Sequence, residues 1–224
     1  MSERANDVYS GAAVYSKRVL RMYDLWVVYF SNTYVWRCHR SRLLERYNEH
    51  LGARHLDVGP GTGWYLAHTG LMRDTAVTLV DLNPNSLATA SARMAEVGPH
   101  TVDADVLQPL PENVGPFDSI GVNFVLHCVP GSWDEKGIAF EHLAARLAPG
   151  GVLFGSTVLG VGVRHNLAGR RLMSVYNAKG IFHNRDDDAD GLERVLREHF
   201  ADVSVTVVGT VALFRASNPV YPPT

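Results

Sequence analysis

Apolar positions along the chain change their period, and each change marks an element. Val19, Met22, Tyr23, Trp26 and Phe30 recur at three- and four-residue intervals, the spacing of one α-helical face. A second helical run, residues 36–50, ends at Gly52, a residue suited to the left-handed turn that closes a helix. From Arg54 onward, short apolar runs alternate with helical stretches, the pattern of a mostly parallel sheet covered on both faces. Strands are predicted at 55–58, 76–80, 101–104, 119–124 and 152–156, with Pro84 placed to open a helix at its first turn. A helix over 133–147 stops at Pro149, Gly150 and Gly151. A polar helix over 190–199 leads to β-rich runs at 203–208 and 211–215, and Gly209-Thr210 between them predicts a tight antiparallel hairpin.

Composition narrows the partners. A chain of 224 residues, 46% hydrophobic, can bury one sizeable core, so one domain is expected over 1–224, divided into a helical cap at 1–52 and a core at 53–218. Lys and Arg number 21 against 23 Asp and Glu, without the basic surplus that a phosphate backbone demands, so nucleic acid is not an expected partner. The first twenty residues mix polar and charged groups throughout, unlike a secretory signal. The apolar run 25–36 is broken by Ser31, Asn32 and Thr33 and falls short of the roughly 20 residues of a membrane span. A cytoplasmic protein that does not enter membranes is the expectation. Cys38 and Cys128 lack metal-ligand spacing and read as two buried thiols in a reducing compartment, with no metal site. The tail 218–224 reads as frayed, and nothing in the sequence sets an oligomeric state.

The densest chemical signal is Leu56-Asp57-Val58-Gly59-Pro60-Gly61-Thr62-Gly63, an acidic strand end running into a glycine turn before a helix. Glycines there let the backbone approach a ligand closely. A dinucleotide fingerprint needs Gly or Ala at the sixth position counted from Gly59, where this chain has Trp64. The G-x-G-x-G spacing instead resembles the first motif of class I S-adenosylmethionine-dependent methyltransferases. In that family the turn carries the methionine portion of the cofactor and the preceding acid, here Asp57, helps to anchor it. Asp81 ends the second strand in Val80-Asp81-Leu82-Asn83, where a carboxylate can accept both ribose hydroxyls. Asp105, in Ala104-Asp105-Val106, stands where the family commonly meets the adenine amino group. Phe117-Asp118-Ser119-Ile120 and Leu147-Ala148-Pro149-Gly150-Gly151 resemble the motifs around the fourth and fifth strands, so the resemblance covers about 54–215. It implies a Rossmann-like, doubly wound seven-stranded α/β sheet with a terminal antiparallel hairpin and an N-terminal helical cap. The implied cofactor is S-adenosyl-L-methionine, held by Asp57, Gly59, Pro60, Gly61, Gly63, Asp81, Leu82, Asn83, Ala104, Asp105, Val106 and Asn123.

The acceptor is expected beyond the carboxyl ends of the strands. His127, just after the fourth strand, is a candidate base or orienting group, since imidazole has an ordinary pKa of about 6.5. From the aromatic N-terminal region, Tyr23 and Asp24 are further catalytic candidates, with Tyr23, Trp26 and Phe30 facing substrate and Trp36 or Arg37 touching cofactor. The run Val35-Trp36-Arg37-Cys38 resembles a segment of short bacterial methyltransferases of natural-product pathways. An insertion at 157–185 is read as the rest of a lid and offers Arg164, His165 and Tyr176 to the substrate. The acidic run Asp186-Asp187-Asp188 is read as favouring the positive start of the next helix rather than holding a metal.

The segment Asn123-Phe124-Val125-Leu126 lacks the Pro-Pro-aromatic sequence of enzymes that methylate adenine or glutamine amino groups. The reading is therefore methylation of a small aromatic or heteroaromatic natural product at O, N or nucleophilic C, indoles included. The alternatives are a non-catalytic S-adenosylmethionine-binding regulatory module and an NAD-dependent oxidoreductase.

Overall fold

The computed structural model describes the backbone of residues 24–71 and 74–220, and the side chains of 28–71 and 74–220. Its strands are β1 (Arg54–Val58), β2 (Ala76–Asp81), β3 (His100–Asp103), β4 (Phe117–Asn123), β5 (Leu147–Val158), β6 (Phe200–Val208) and β7 (Val211–Pro219). They form one sheet in the order β3-β2-β1-β4-β5-β7-β6. The first five run parallel, and β7 inserts antiparallel between β5 and β6. Central β1 and β4 are buried on both faces, as covered parallel strands must be, whereas edge strand β3 is largely exposed. The order reverses between β1 and β4, and this is where a crevice opens at the carboxyl ends of such a sheet.

The helices are α1 (Arg40–His50), α2 (Trp64–Ala67), α3 (Pro84–Arg93), α4 (Trp133–Lys136), α5 (Ile138–Ala144), α6 (Leu167–Ala178) and α7 (Ala189–Arg197). In α7 the spacing of Leu192, Val195 and Leu196 buries one stripe while Arg194 and Arg197 stay outside and pair with Glu198 and Glu193. That stripe joins Phe140, Phe214 and Ile120 in the larger core, on one face of the sheet. On the other face Tyr47 of α1 packs with Leu79, Ala90 and Phe154.

Several elements depart from their expected form. Residues Asp24–Val35 wind as a π-helix rather than an α-helix. Its i to i+5 bonding, continued by the Trp36 amide donating to the Ser31 carbonyl at 2.9 Å, turns Val28, Ser31, Asn32 and Val35 inward. Phe30 consequently faces solvent beside Tyr34. Trp36 lies in the connection to α1, outside the helix expected to begin there. The expected helix over 133–147 is broken at Gly137, where the backbone packs close against Val195. Strand β5 begins at Leu147 and absorbs the Pro149-Gly150-Gly151 turn as a register shift against β4. Asn218 and Pro219 are not frayed: they extend β7, where Pro219 pairs with Phe200, and the Val220 amide donates to the His199 carbonyl.

The β6–β7 turn also meets the start of the chain. The Thr210 amide and hydroxyl both donate to the Trp36 carbonyl, at 2.9 and 3.1 Å. Gly209 sits at φ +63°, and a Cβ there would lie 2.4 Å from the same oxygen.

Candidate functional site

A cleft of about 140 Å³ opens at the carboxyl ends of β1 and β2, with the segments after β3 and β4 completing it. The glycine turn forms one wall. Gly59, Gly61 and Gly63 all hold positive φ, between +57° and +71°, a conformation costly for any residue with a Cβ. At Gly59 the restriction is also spatial, because a Cβ would stand 2.4 Å from Val125 Cγ2. Of the residues singled out in the sequence, Gly59, Gly61, Asp81, Leu82, Asn83, Ala104, Asp105 and Val106 line the cleft. Pro60 supports the turn through its carbonyl, which accepts from the Gly63 amide, while Gly63 itself packs against Ala90 of α3.

The three acids occupy different settings. Asp81 Oδ1 accepts from the Asn83 amide at 2.8 Å, and burial pushes its carboxyl up to about 6 against that stabilising bond. Asp105 Oδ1 accepts from the Leu107 amide at 2.9 Å. Both carboxylates are thereby fixed by short local turns while still facing the cleft. Asp57 lies behind the glycine turn, almost fully buried, and takes a 2.9 Å hydrogen bond from the Tyr47 hydroxyl. Burial raises its carboxyl to about 7; the Tyr47 bond pulls the other way and neighbouring Asp81 adds to the rise. Asn123 also stands outside the lining. Its Oδ1 accepts from the Ser156 hydroxyl at 3.0 Å, and its Nδ2 is buried.

The far wall is apolar. Phe124, Val125, Cys128, Val129 and Pro130 line it, and the Phe124 ring, Val129 and Pro130 were not singled out in the sequence. Phe124 holds the left-handed backbone at φ +56°, an unusual conformation for an aromatic residue, with its amide tied to the Ser156 carbonyl. Cys128 is thus a wall residue rather than a core thiol, whereas Cys38 is fully buried as expected. Burial pushes the Cys128 thiol up to about 12, so it stays protonated and unreactive at neutral pH.

Behind this wall lies an aromatic cluster centred on Phe182, and it holds His127 and Tyr176 of the expected acceptor-side residues, with His165 at its edge. His127 is buried 4.4 Å from the Phe182 ring, off the cleft lining, with Nδ1 3.4 Å from the Val158 amide. Burial foremost, then the Lys136 charge, depress its pKa to about 3, so the ring is neutral at physiological pH. Trp36 and Tyr176 pack on Phe182 as well, and His165 meets the edge of Trp36. Arg164 and Arg37 are exposed, and the Arg37 guanidinium donates to the Arg164 carbonyl. These residues form packing and clasp contacts and do not line the cleft; Phe124 and Cys128 belong to both cleft and cluster and connect the two. Tyr23 lies outside the described residues, as do the side chains of Asp24 and Trp26.

The sequence reading also missed a buried ion pair. Lys136 of α4 is fully enclosed and donates to both Asp187 oxygens, at 2.8 and 2.6 Å, and to the His183 carbonyl at 2.9 Å. Only Asp188 of the acidic run caps α7, accepting from the Gly191 amide. Asp187 turns inward, a difference that three consecutive aspartates do not reveal.

Residues 56–153 match a family described as a methyltransferase domain. The demethylluteothin O-methyltransferase of Streptomyces thioluteus is 43% identical over 210 residues, covering 93% of this chain and 91% of that one. This chain belongs to the class I S-adenosylmethionine-dependent methyltransferases. A second relative of the methyltransferase, the physcion biosynthesis cluster O-methyltransferase of Aspergillus chevalieri, is 40% identical and covers 93% of this chain and 95% of its own. Among solved structures, the DhpI complex with S-adenosylhomocysteine shares the fold of the methyltransferase with a TM-score of 0.67 at 18% identity, covering 97% and 98% of the two chains. Among the described residues of the methyltransferase, no helix is long and apolar enough to cross a membrane.

Proposed function

We propose that this methyltransferase transfers the methyl group of S-adenosylmethionine to a hydroxyl oxygen on a flat, conjugated small molecule of natural-product type. The observation that carries the reading is one cleft with Asp81 and Asp105 on its polar side and Phe124, Val125 and Val129 on its apolar side. The names of the two relatives, both O-methyltransferases, support oxygen as the acceptor atom.

The residues fit the cofactor. Positive-φ glycines leave room for a ligand against the backbone, Asp81 offers two acceptor oxygens for ribose hydroxyls, and Asp105 can accept from an adenine amino group. Behind the glycine turn, Asp57 can balance an ammonium. When bound, the cofactor supplies an electrophilic methyl on a cationic sulfur. This chain holds the acceptor in line and keeps water out, which is where proximity and desolvation act. The π-helix and the segment bearing α6 serve as the cap, joined by Asn166 Nδ2 donating to the Tyr34 carbonyl at 2.8 Å. His127 acts as a positioning group that steadies the wall from behind.

Incubation with methyl-labelled cofactor and a panel of hydroxylated arenes and hydroxypyrones is expected to give a labelled methyl ether. A chain that binds S-adenosylhomocysteine but labels no compound, in the panel or in an extract of the producing cell, would instead be a regulatory binder. The pH dependence of turnover is expected to contain no step from His127 between pH 5 and 8, since its ring is already neutral there. A step near 6.5 that disappears in His127→Asn would restore the histidine as proton acceptor.

A further inference from the structure

We infer that Tyr47 is a positioning residue of the cofactor site, setting from the cap side how firmly Asp57 holds a cationic group of the ligand. This deepens the cofactor reading above and rests on it. Tyr47 lies on α1, outside the glycine turn and outside every strand-end motif, yet its hydroxyl donates to Asp57 Oδ1 at 2.9 Å. The residue is 2% exposed, so the hydroxyl has no bulk water to turn to.

Its ring is held on several sides. Tyr65 stacks on it at 6.0 Å with a 12° interplanar angle, Phe154 meets it edge-on at 5.2 Å, and His55 lies at 6.0 Å. The aim of the hydroxyl is therefore fixed by packing. On its other side the carboxylate meets Gly121, where a Cβ would approach Asp57 Oδ1 to 3.0 Å. Tyr65 in turn accepts a 2.6 Å hydrogen bond from Asn32 Nδ2 of the π-helix. A line of contacts thus runs from the π-helix through Tyr65 and Tyr47 to the acid beneath the turn.

The titratable groups around Asp57, among the described residues, are Tyr47 from α1, Asp81 from β2, and Tyr65 and His55 across the Tyr47 ring. Burial holds His55 neutral, with a pKa near 3, and Asp81 is repulsive. Tyr47 is the neighbour that favours the ionised carboxylate, in a window around neutral pH where that state decides the attraction for an ammonium.

The test is the dissociation constant of S-adenosylhomocysteine measured by calorimetry from pH 6 to 9. Tyr47→Phe is expected to weaken binding about fivefold at pH 7 and close to tenfold at pH 6, the effect of moving the Asp57 pKa of about 7 up by one unit, and the deficit should close toward pH 9. Replacing Tyr47 with 3-fluorotyrosine keeps shape and fold while making the hydroxyl a stronger donor, and should move the midpoint to lower pH. In an Asp57→Asn background neither replacement should alter the pH dependence, which separates Asp57 from Asp81. Three results overturn the role of Tyr47: an unchanged midpoint in the fluorotyrosine chain, a Tyr47→Phe deficit that is equal at every pH, or a pH-dependent deficit that persists in the Asp57→Asn background. Failure of the native chain to bind S-adenosylhomocysteine at any pH would overturn the cofactor reading itself.

Discussion

Lys136→Met is expected to destabilise the fold by about 3–5 kcal/mol at pH 8, the usual consequence of stranding one member of a buried ion pair. The wild-type ammonium has three N–H bonds, and all find acceptors: both oxygens of Asp187 and the His183 carbonyl. Methionine fills the space but leaves the Asp187 carboxylate enclosed without a counter-charge. Burial already raises that carboxyl to about 6, with Lys136 opposing the rise. Removing Lys136 moves it further up. An acid whose folded-state pKa exceeds its unfolded value weakens the fold as pH climbs between the two, and the loss is complete above the higher one. The deficit should therefore be smallest below pH 4 and grow as pH rises to 8, read by chemical denaturation at both. Lys136→Met combined with Asp187→Leu should recover most of the loss, because an apolar pair leaves no orphaned charge. A single-variant deficit below about 1 kcal/mol at pH 8 would mean that water reaches Asp187.

Asp81→Ala is expected to weaken S-adenosylhomocysteine binding by about 1.5–3 kcal/mol, or roughly 10- to 150-fold, through loss of hydrogen bonds to an ionised acceptor. Because burial raises Asp81 to about 6, native affinity should also fall as pH drops through that value, and the variant should lose this component. Asp81 also holds the Asn83 amide at the start of α3, so the ligand-free melting temperature must be compared in parallel. An alanine chain with native affinity would remove Asp81 from the site.

These expectations differ in how far the sequence alone could lead to them. Asp81, Asp105 and the glycine turn are legible because their geometry is local: each acid stands at or just past the end of a short strand, and each glycine answers a backbone demand within a few residues. The parallel part of the sheet followed from the same alternation, and the hairpin from Gly209-Thr210. Tyr47 and Lys136 were not legible, because their partners lie 10 and 51 residues away and their own helices show only ordinary amphipathic or capping patterns. The π-winding escaped for a related reason: over so few turns, inward residues spaced by three and four fit either helix. The orientation of His127 was not legible because a position relative to a strand end does not say which way a tight turn faces, and here Leu126 and His127 point inward while Cys128 reaches the cleft.

The contact between Thr210 and Trp36 ties the order of synthesis to the order of assembly. A nascent chain exposes the Trp36 carbonyl early, yet its fastening arrives 174 residues later, on the β6–β7 turn. Closing that contact joins two ends of the fold across the whole sheet-forming stretch, an entropic step that local helix formation cannot shorten.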